Sequence, residues 1–158
     1  MSLWTRGVVA CTTLLAATAC SPGAVTIDSP DVPAAVQTVC RDLVAALPDT
    51  LDGHDQRDVE PDDALGAAWG DPAIELRCGV GTPEGLTRFS ECQEVNGVGW
   101  YVPEEQAADN SADLTLTTIG FEPAVEVRIP GSLRPPNDAL VQLAAPVKNY
   151  LDQVRHCV

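Results

Sequence analysis

The sequence predicts an α+β fold, a two-layer sandwich in which an antiparallel sheet of four or five strands packs against an N-terminal and a C-terminal helix. Three observations carry that expectation. Val36, Cys40, Leu43, Val44 and Leu47 recur at helical spacing, "AIELRCGV" at residues 73–80 alternates apolar with polar, and Asn96-Gly97 stands between two β-prone runs. A period near 3.6 marks a helix with one buried stripe, and a period of 2 marks a strand with one buried face. The strands cluster between two helical stretches instead of alternating with them, which points to helices laid on an antiparallel sheet.

The chain begins as an export signal. Arg6 is the only charged side chain before Asp28, and it precedes the apolar run Gly7–Ala19. That run is too short to span a bilayer, which takes about 20 apolar residues. Ala17-Thr18-Ala19 places small residues before Cys20, and "LLAATAC" resembles a bacterial lipobox with Ala17 in place of the usual leucine. Ordinary and lipoprotein cleavage would cut the same bond, so cysteine parity separates them. Without Cys11, ordinary cleavage leaves five cysteines; lipidation of Cys20 leaves Cys40, Cys78, Cys92 and Cys157, enough for two disulfides. The expected organisation is a lipoprotein signal peptide at 1–19, a lipidated tether at 20–24 and a single α+β domain at 25–158. The expected location is the extracytoplasmic face of the cell membrane. A chain of 158 − 19 = 139 residues is long enough to bury a real core.

In chain order, Val25 and Ile27 suggest a short edge strand. A helix should follow from Val32 or Pro33 to Leu47, with proline in its first turn and Pro48-Asp49 after its end. Residues 49–63, "DTLDGHDQRDVEPDD", hold seven carboxylates and read as a solvated acidic loop. Asp49, Asp52, Asp55 and Asp58 fall every third residue with no glutamate twelfth, which does not fit a calcium loop. Ile74, Leu76, Cys78 and Val80 then share one strand face. Asn96-Gly97 closes a hairpin, because the favoured two-residue turn needs positive φ at both positions. "LTLTTIGF" returns through Glu122-Pro123 into "AVEVRIP", and "GSLRPPN" is a loop. The last helix should start near Asn137 or Asp138 and bury Leu140, Ala144, Val147, Leu151 and Val154, with Pro146 kinking or splitting it.

The chemistry-bearing residues exclude more than they propose. The formal charge is −14, and removal of Arg6 makes it one unit more negative. Such an excess repels phosphate backbones, so nucleic acid is not an expected partner, and the membrane would be held through the lipid alone. His54 and His156 are the only histidines, and there is no G-x-S-x-G, H-E-x-x-H or C-x-x-C. "GVGTPEG" lacks the lysine of a phosphate-binding loop. No catalytic residue, metal site or cofactor is therefore expected. Trp100-Tyr101 is the candidate binding surface, because neighbouring strand residues point to opposite faces and both cannot enter one core. The competing reading puts a loop or helix edge over the second aromatic.

"AALPDTLDG", "AAWGDPAIELRCGV", "EVNGVGW" and "TTIG", in this order behind the lipobox, resemble an actinobacterial family of small exported proteins and lipoproteins classed as a domain of unknown function. The resemblance implies location and single-domain architecture and carries no catalytic residue. Cys92 and Cys157 look like additions to that family's more usual pair, Cys40 and Cys78. Facing gives the pairing independently. Cys40 lies on the helix stripe and Cys78 on the strand face beneath it, while Cys92 and Cys157 are both peripheral, so Cys40–Cys78 and Cys92–Cys157 are expected. The favoured function is a non-catalytic envelope lipoprotein that binds a protein or a small ligand. The alternative is an envelope hydrolase built on paired carboxylates.

Overall fold

In the computed structural model the described residues are 23–157. The expected signal peptide at 1–19, Cys20 and the start of the tether lie outside them. From the N-terminus run β1 (Val25–Thr26), α1 (Ala34–Ala45), β2 (Thr50–Leu51), β3 (His54–Arg57), β4 (Val59–Glu60), β5 (Gly66–Trp69) and β6 (Ile74–Val80). They are followed by β7 (Gln93–Val95), β8 (Val98–Tyr101), α2 (Glu104–Ala108), β9 (Leu114–Ile119), β10 (Phe121–Glu122) and β11 (Ala124–Ile129). A 3₁₀ turn at Gly131–Leu133, α3 (Asn137–Tyr150) and β12 (Asp152–Gln153) complete the described chain.

The fold is α+β with a larger sheet than the sequence predicts. Eight strands pair antiparallel in the order β2-β3-β5-β6-β11-β9-β8-β7, where four or five were expected. Two of the additional strands come from the acidic stretch. Asp52 and Gly53 both take positive φ, at 50° and 77°, and turn β2 into β3 with Thr50 opposite Asp55. This is the same turn chemistry as Asn96-Gly97, at 50° and 82°. The solvated-loop reading of 49–63 is thus corrected: its charges project from a hairpin. β5, "GAAW", carries no alternation because both of its faces are covered. One side meets the main core, and on the other Ala68 packs with Ile27 and Ala64. The N-terminal segment does form a short strand at Val25, but it pairs parallel with β4.

The core lies between the sheet and the helices α1 and α3, which contact each other and the sheet. Ile74, Leu76 and Cys78 of β6 face Cys40 and Leu43 of α1, all fully buried. Val127 sits opposite Leu76 and Leu116 opposite Val127, so the same face continues across β11 and β9. Cys40 and Cys78 are bridged with their Cα atoms 5.5 Å apart, tying helix to sheet at the centre of this layer. Trp69 is wholly buried and donates its Nε1 hydrogen to the Pro48 carbonyl at 2.8 Å, fixing the chain just past α1.

The last helix ends early. Leu140, Ala144 and Val147 are buried along it, and Leu151 is buried just beyond its end, but Val154 is 55% exposed, against expectation. Leu151 is extended, and the chain leaves α3 to pair β12 with β10, Phe121 opposite Gln153. Pro146 lies inside α3 without splitting it. Gln142, whose carbonyl loses the N–H that proline lacks, is on the exposed side, where solvent serves it.

The opposite face of the sheet is not simply open, so the molecule departs from a plain two-layer sandwich. Arg77 pairs with Glu126, and Arg128 reaches both Glu75 at 3.4 Å and Asp113 at 2.7 Å. The Gly131 N–H, with Arg128, holds the Asp113 carboxyl below its ordinary range; hydrogen bonds from Ser111 do the same for Asp109. At the other end of that face lie the segment 81–92 and the C-terminal tail.

Candidate functional site

Trp100 and Tyr101 do not form a surface. Trp100 is fully buried on the helix side and Tyr101 is 8% exposed on the other. The alternation that separates them is real, with Trp100 paired to Thr118 and Tyr101 to Thr117. The second face is covered by the segment 81–92, where the Tyr101 hydroxyl lies 3.5 Å from the Glu84 carbonyl. Trp100 therefore belongs to the core, and Tyr101 lies beneath the segment 81–92, where it lines a concavity with Phe89 and Glu104.

The same covering segment builds a different feature. Beyond β6 the chain passes over the sheet end, and the tail after β12 passes beside it. The tail is held by Val154, whose N–H donates to the Gly120 carbonyl at 2.8 Å. Gly120 has φ 77°, and a Cβ there would fall on the Arg155 carbonyl, so only glycine admits this crossing. The tail then reaches the face opposite the helices and joins Cys157 to Cys92 across a Cα separation of 5.7 Å. Gly99 lies beneath that bridge; a Cβ would come within 2.8 Å of both sulfurs. The Cys92–Cys157 link pins an extended tail to the sheet.

Between α1, the 79–86 segment, the β9–β10 junction and the tail lies a groove of about 550 Å³. Its walls combine apolar side chains, among them Val32, Val36, Val39, Leu86 and the exposed Val154, with a comparable polar surface that includes Thr82, Glu122, Asp152 and Arg155. A second limb of about 300 Å³ shares Thr82, Leu86, Ile119 and Arg155 with the first and adds Arg88 and His156. Glu122 and Asp152 face each other across the β10–β12 pair at the lip of the larger limb, both exposed. They are two carboxylates brought together by the fold, in water and not in a desolvated pocket.

The remaining candidates are dispersed. His54 sits on β3, with its ring against the Gly70 backbone, and His156 sits in the tail. Among the described residues no group of three or more His, Cys, Asp or Glu side chains could hold a metal ion. No described helix is long and apolar enough to cross a membrane. Groove residues escaped sequence reasoning because residues 36, 86, 119 and 154 come together only through the sheet and the tail crossing.

The family model for a protein of unknown function, DUF3515, matches residues 4–156. The chain belongs to the DUF3515 family. That span takes in every strand and helix of the fold, the four bridged cysteines except Cys157, and most of the groove wall. No curated protein and no solved structure matches the chain. DUF3515 membership therefore identifies the domain, and its function has to be argued from the groove.

Proposed function

We propose that the protein is an exported lipoprotein, anchored through Cys20 to the outer face of the cytoplasmic membrane, that binds an apolar small molecule in the groove beside α1. The observation that carries the reading is the groove itself. A concavity of about 550 Å³ that sets aliphatic side chains beside polar and charged groups has the size of small-molecule sites. Its wall is stabilised from two directions, by Cys40–Cys78 beneath α1 and by Cys92–Cys157 at the tail. Two disulfides suit an oxidising compartment, and the parity argument at Cys20 supplies the anchor. The tether is only a few residues long, so the groove would stand close to the bilayer, where apolar molecules are concentrated.

One variant tests both halves. Cys20→Ala, expressed in the native host, is expected to be processed and released into the medium as a folded protein. Solvent extraction of that purified protein is expected to yield an apolar compound in near-stoichiometric amount. Retention of processed protein in the membrane fraction overturns the anchor; release of an empty protein overturns the binding role.

A further inference from the structure

We infer that the groove is selective for an amphiphile with an anionic head, a carboxylate or phosphate on an aliphatic chain; this rests on the apolar-ligand reading and specifies its ligand. The inference follows from where the protein leaves its positive charge. The chain has 9 Lys and Arg against 23 Asp and Glu. Six of the eight described Lys and Arg side chains are committed to a protein acceptor. Arg41 donates to the Gln37 side chain, Arg57 to the carbonyls of Gly70 and Gly23, and Arg77 to Glu126. Arg128 pairs with Glu75 and Asp113, Arg134 donates to three carbonyls, and Lys148 to the Asn96 carbonyl at 2.6 Å. Among the described residues, the guanidinium groups of Arg88 and Arg155 alone make no hydrogen bond or ion pair with another described residue. Both line the smaller limb of the groove.

Among the described residues of its lining there is no Asp or Glu. Besides the two arginines it holds His156 and the hydroxyl residues Thr82, Thr87 and Ser90. Arg88 is backed by the ring of Phe89, with its guanidinium carbon 4.7 Å from the ring centroid, a contact that orients the cation without neutralising it. Arg155 belongs to both limbs and stands where they meet. A chain lying against Val36, Val39 and Phe121 would thus reach past Ile119 and Leu86 and place its head between Arg155 and Arg88. Carboxylate and phosphate are the groups for which arginine offers paired, charge-assisted donors. The lip of the larger limb, at Glu122 and Asp152, repels the same head and gives the bound chain one orientation. In a protein of charge −14, two arginines gathered in a limb with no described Asp or Glu are a local reversal of charge that a purely apolar ligand would not call for.

The test is isothermal titration calorimetry on the full mature chain carrying Cys20→Ala and stripped of any co-purified compound on a hydrophobic resin, so that neither an anchor of its own nor a resident ligand competes. The probes are decyl phosphate, decanoate, 1-decanol and decyltrimethylammonium below their micelle concentrations, and inorganic phosphate. Decyl phosphate and decanoate are expected to bind at least about tenfold tighter than 1-decanol, the scale of one charge-assisted hydrogen bond. Decyltrimethylammonium should bind no tighter than 1-decanol, and inorganic phosphate should give no signal at millimolar concentration. The double variant Arg88→Gln/Arg155→Gln should lose the anionic preference and keep 1-decanol binding. Equal affinity of decyl phosphate and 1-decanol, or a preference that survives the double variant, overturns the head-group inference and leaves the apolar groove standing. Absence of binding by every chain-bearing probe overturns both.

Discussion

Replacing Cys40 and Cys78 together by alanine is expected to lower the stability of the domain by about 4 kcal/mol. The bridge closes a loop of 38 residues, and the chain-entropy relation gives roughly that figure before any packing change is counted. Both residues are wholly buried among Leu43, Leu76 and their neighbours, so alanine also leaves unfilled volume. Domains of this size are stable by about 5–15 kcal/mol, so the loss is a large fraction of the total. Denaturant titration of the wild type and the double variant measures it directly. An unchanged midpoint would mean that the helix–sheet layer is held without the bridge.

The second large effect is at Trp69. Trp69→Ala is expected to cost about 3–5 kcal/mol, since it empties a wholly buried indole site and orphans the Pro48 carbonyl. A comparison with Trp100 isolates the hydrogen bond. Trp100 is equally buried, yet its Nε1 hydrogen has no acceptor among the described residues. Phenylalanine at either position removes a similar volume, but only at 69 does it remove a bond. Trp69→Phe should therefore be more damaging than Trp100→Phe by about 1–2 kcal/mol in chemical denaturation. Equal losses would show that the bond to Pro48 contributes nothing.

The elements whose information is local were legible in the sequence, and those whose information is long-range were not. The stripe at Val36, Cys40 and Leu43 marked α1, and the alternation from Ile74 to Val80 marked β6, because each pattern is written within a few turns or residues. Asp52-Gly53 carried the same turn signature as Asn96-Gly97, but seven carboxylates around it made the acidic loop the stronger reading. β5 was invisible because a strand covered on both faces has no period to detect, and Ile27 covers its second face from 39 residues upstream of Gly66. The apolar period of α3 runs on through Leu151 to Val154, and what stops the helix is pairing with Phe121–Glu122, which no local pattern records. Site prediction failed at Trp100-Tyr101 for a related reason. Alternation correctly put the two side chains on opposite faces, but only the folded chain shows the segment 81–92 lying over Tyr101. Arg88 and Arg155 stand out only once the acceptors of the other cations are known.

The most direct measurement for the groove is an ¹⁵N NMR titration of the folded Cys20→Ala protein with 1-decanol, a neutral probe that reports the apolar limb alone. Shifts are expected at Val36, Val39, Ile119, Phe121 and Val154, and Ala35→Trp should abolish them. Ala35 lines the groove on the exposed side of α1, so a bulky side chain there fills the groove without entering the core. Shifts gathered instead around Phe89, Gln93 and Glu104, or left unchanged by Ala35→Trp, would contradict the assignment of this groove as the binding site.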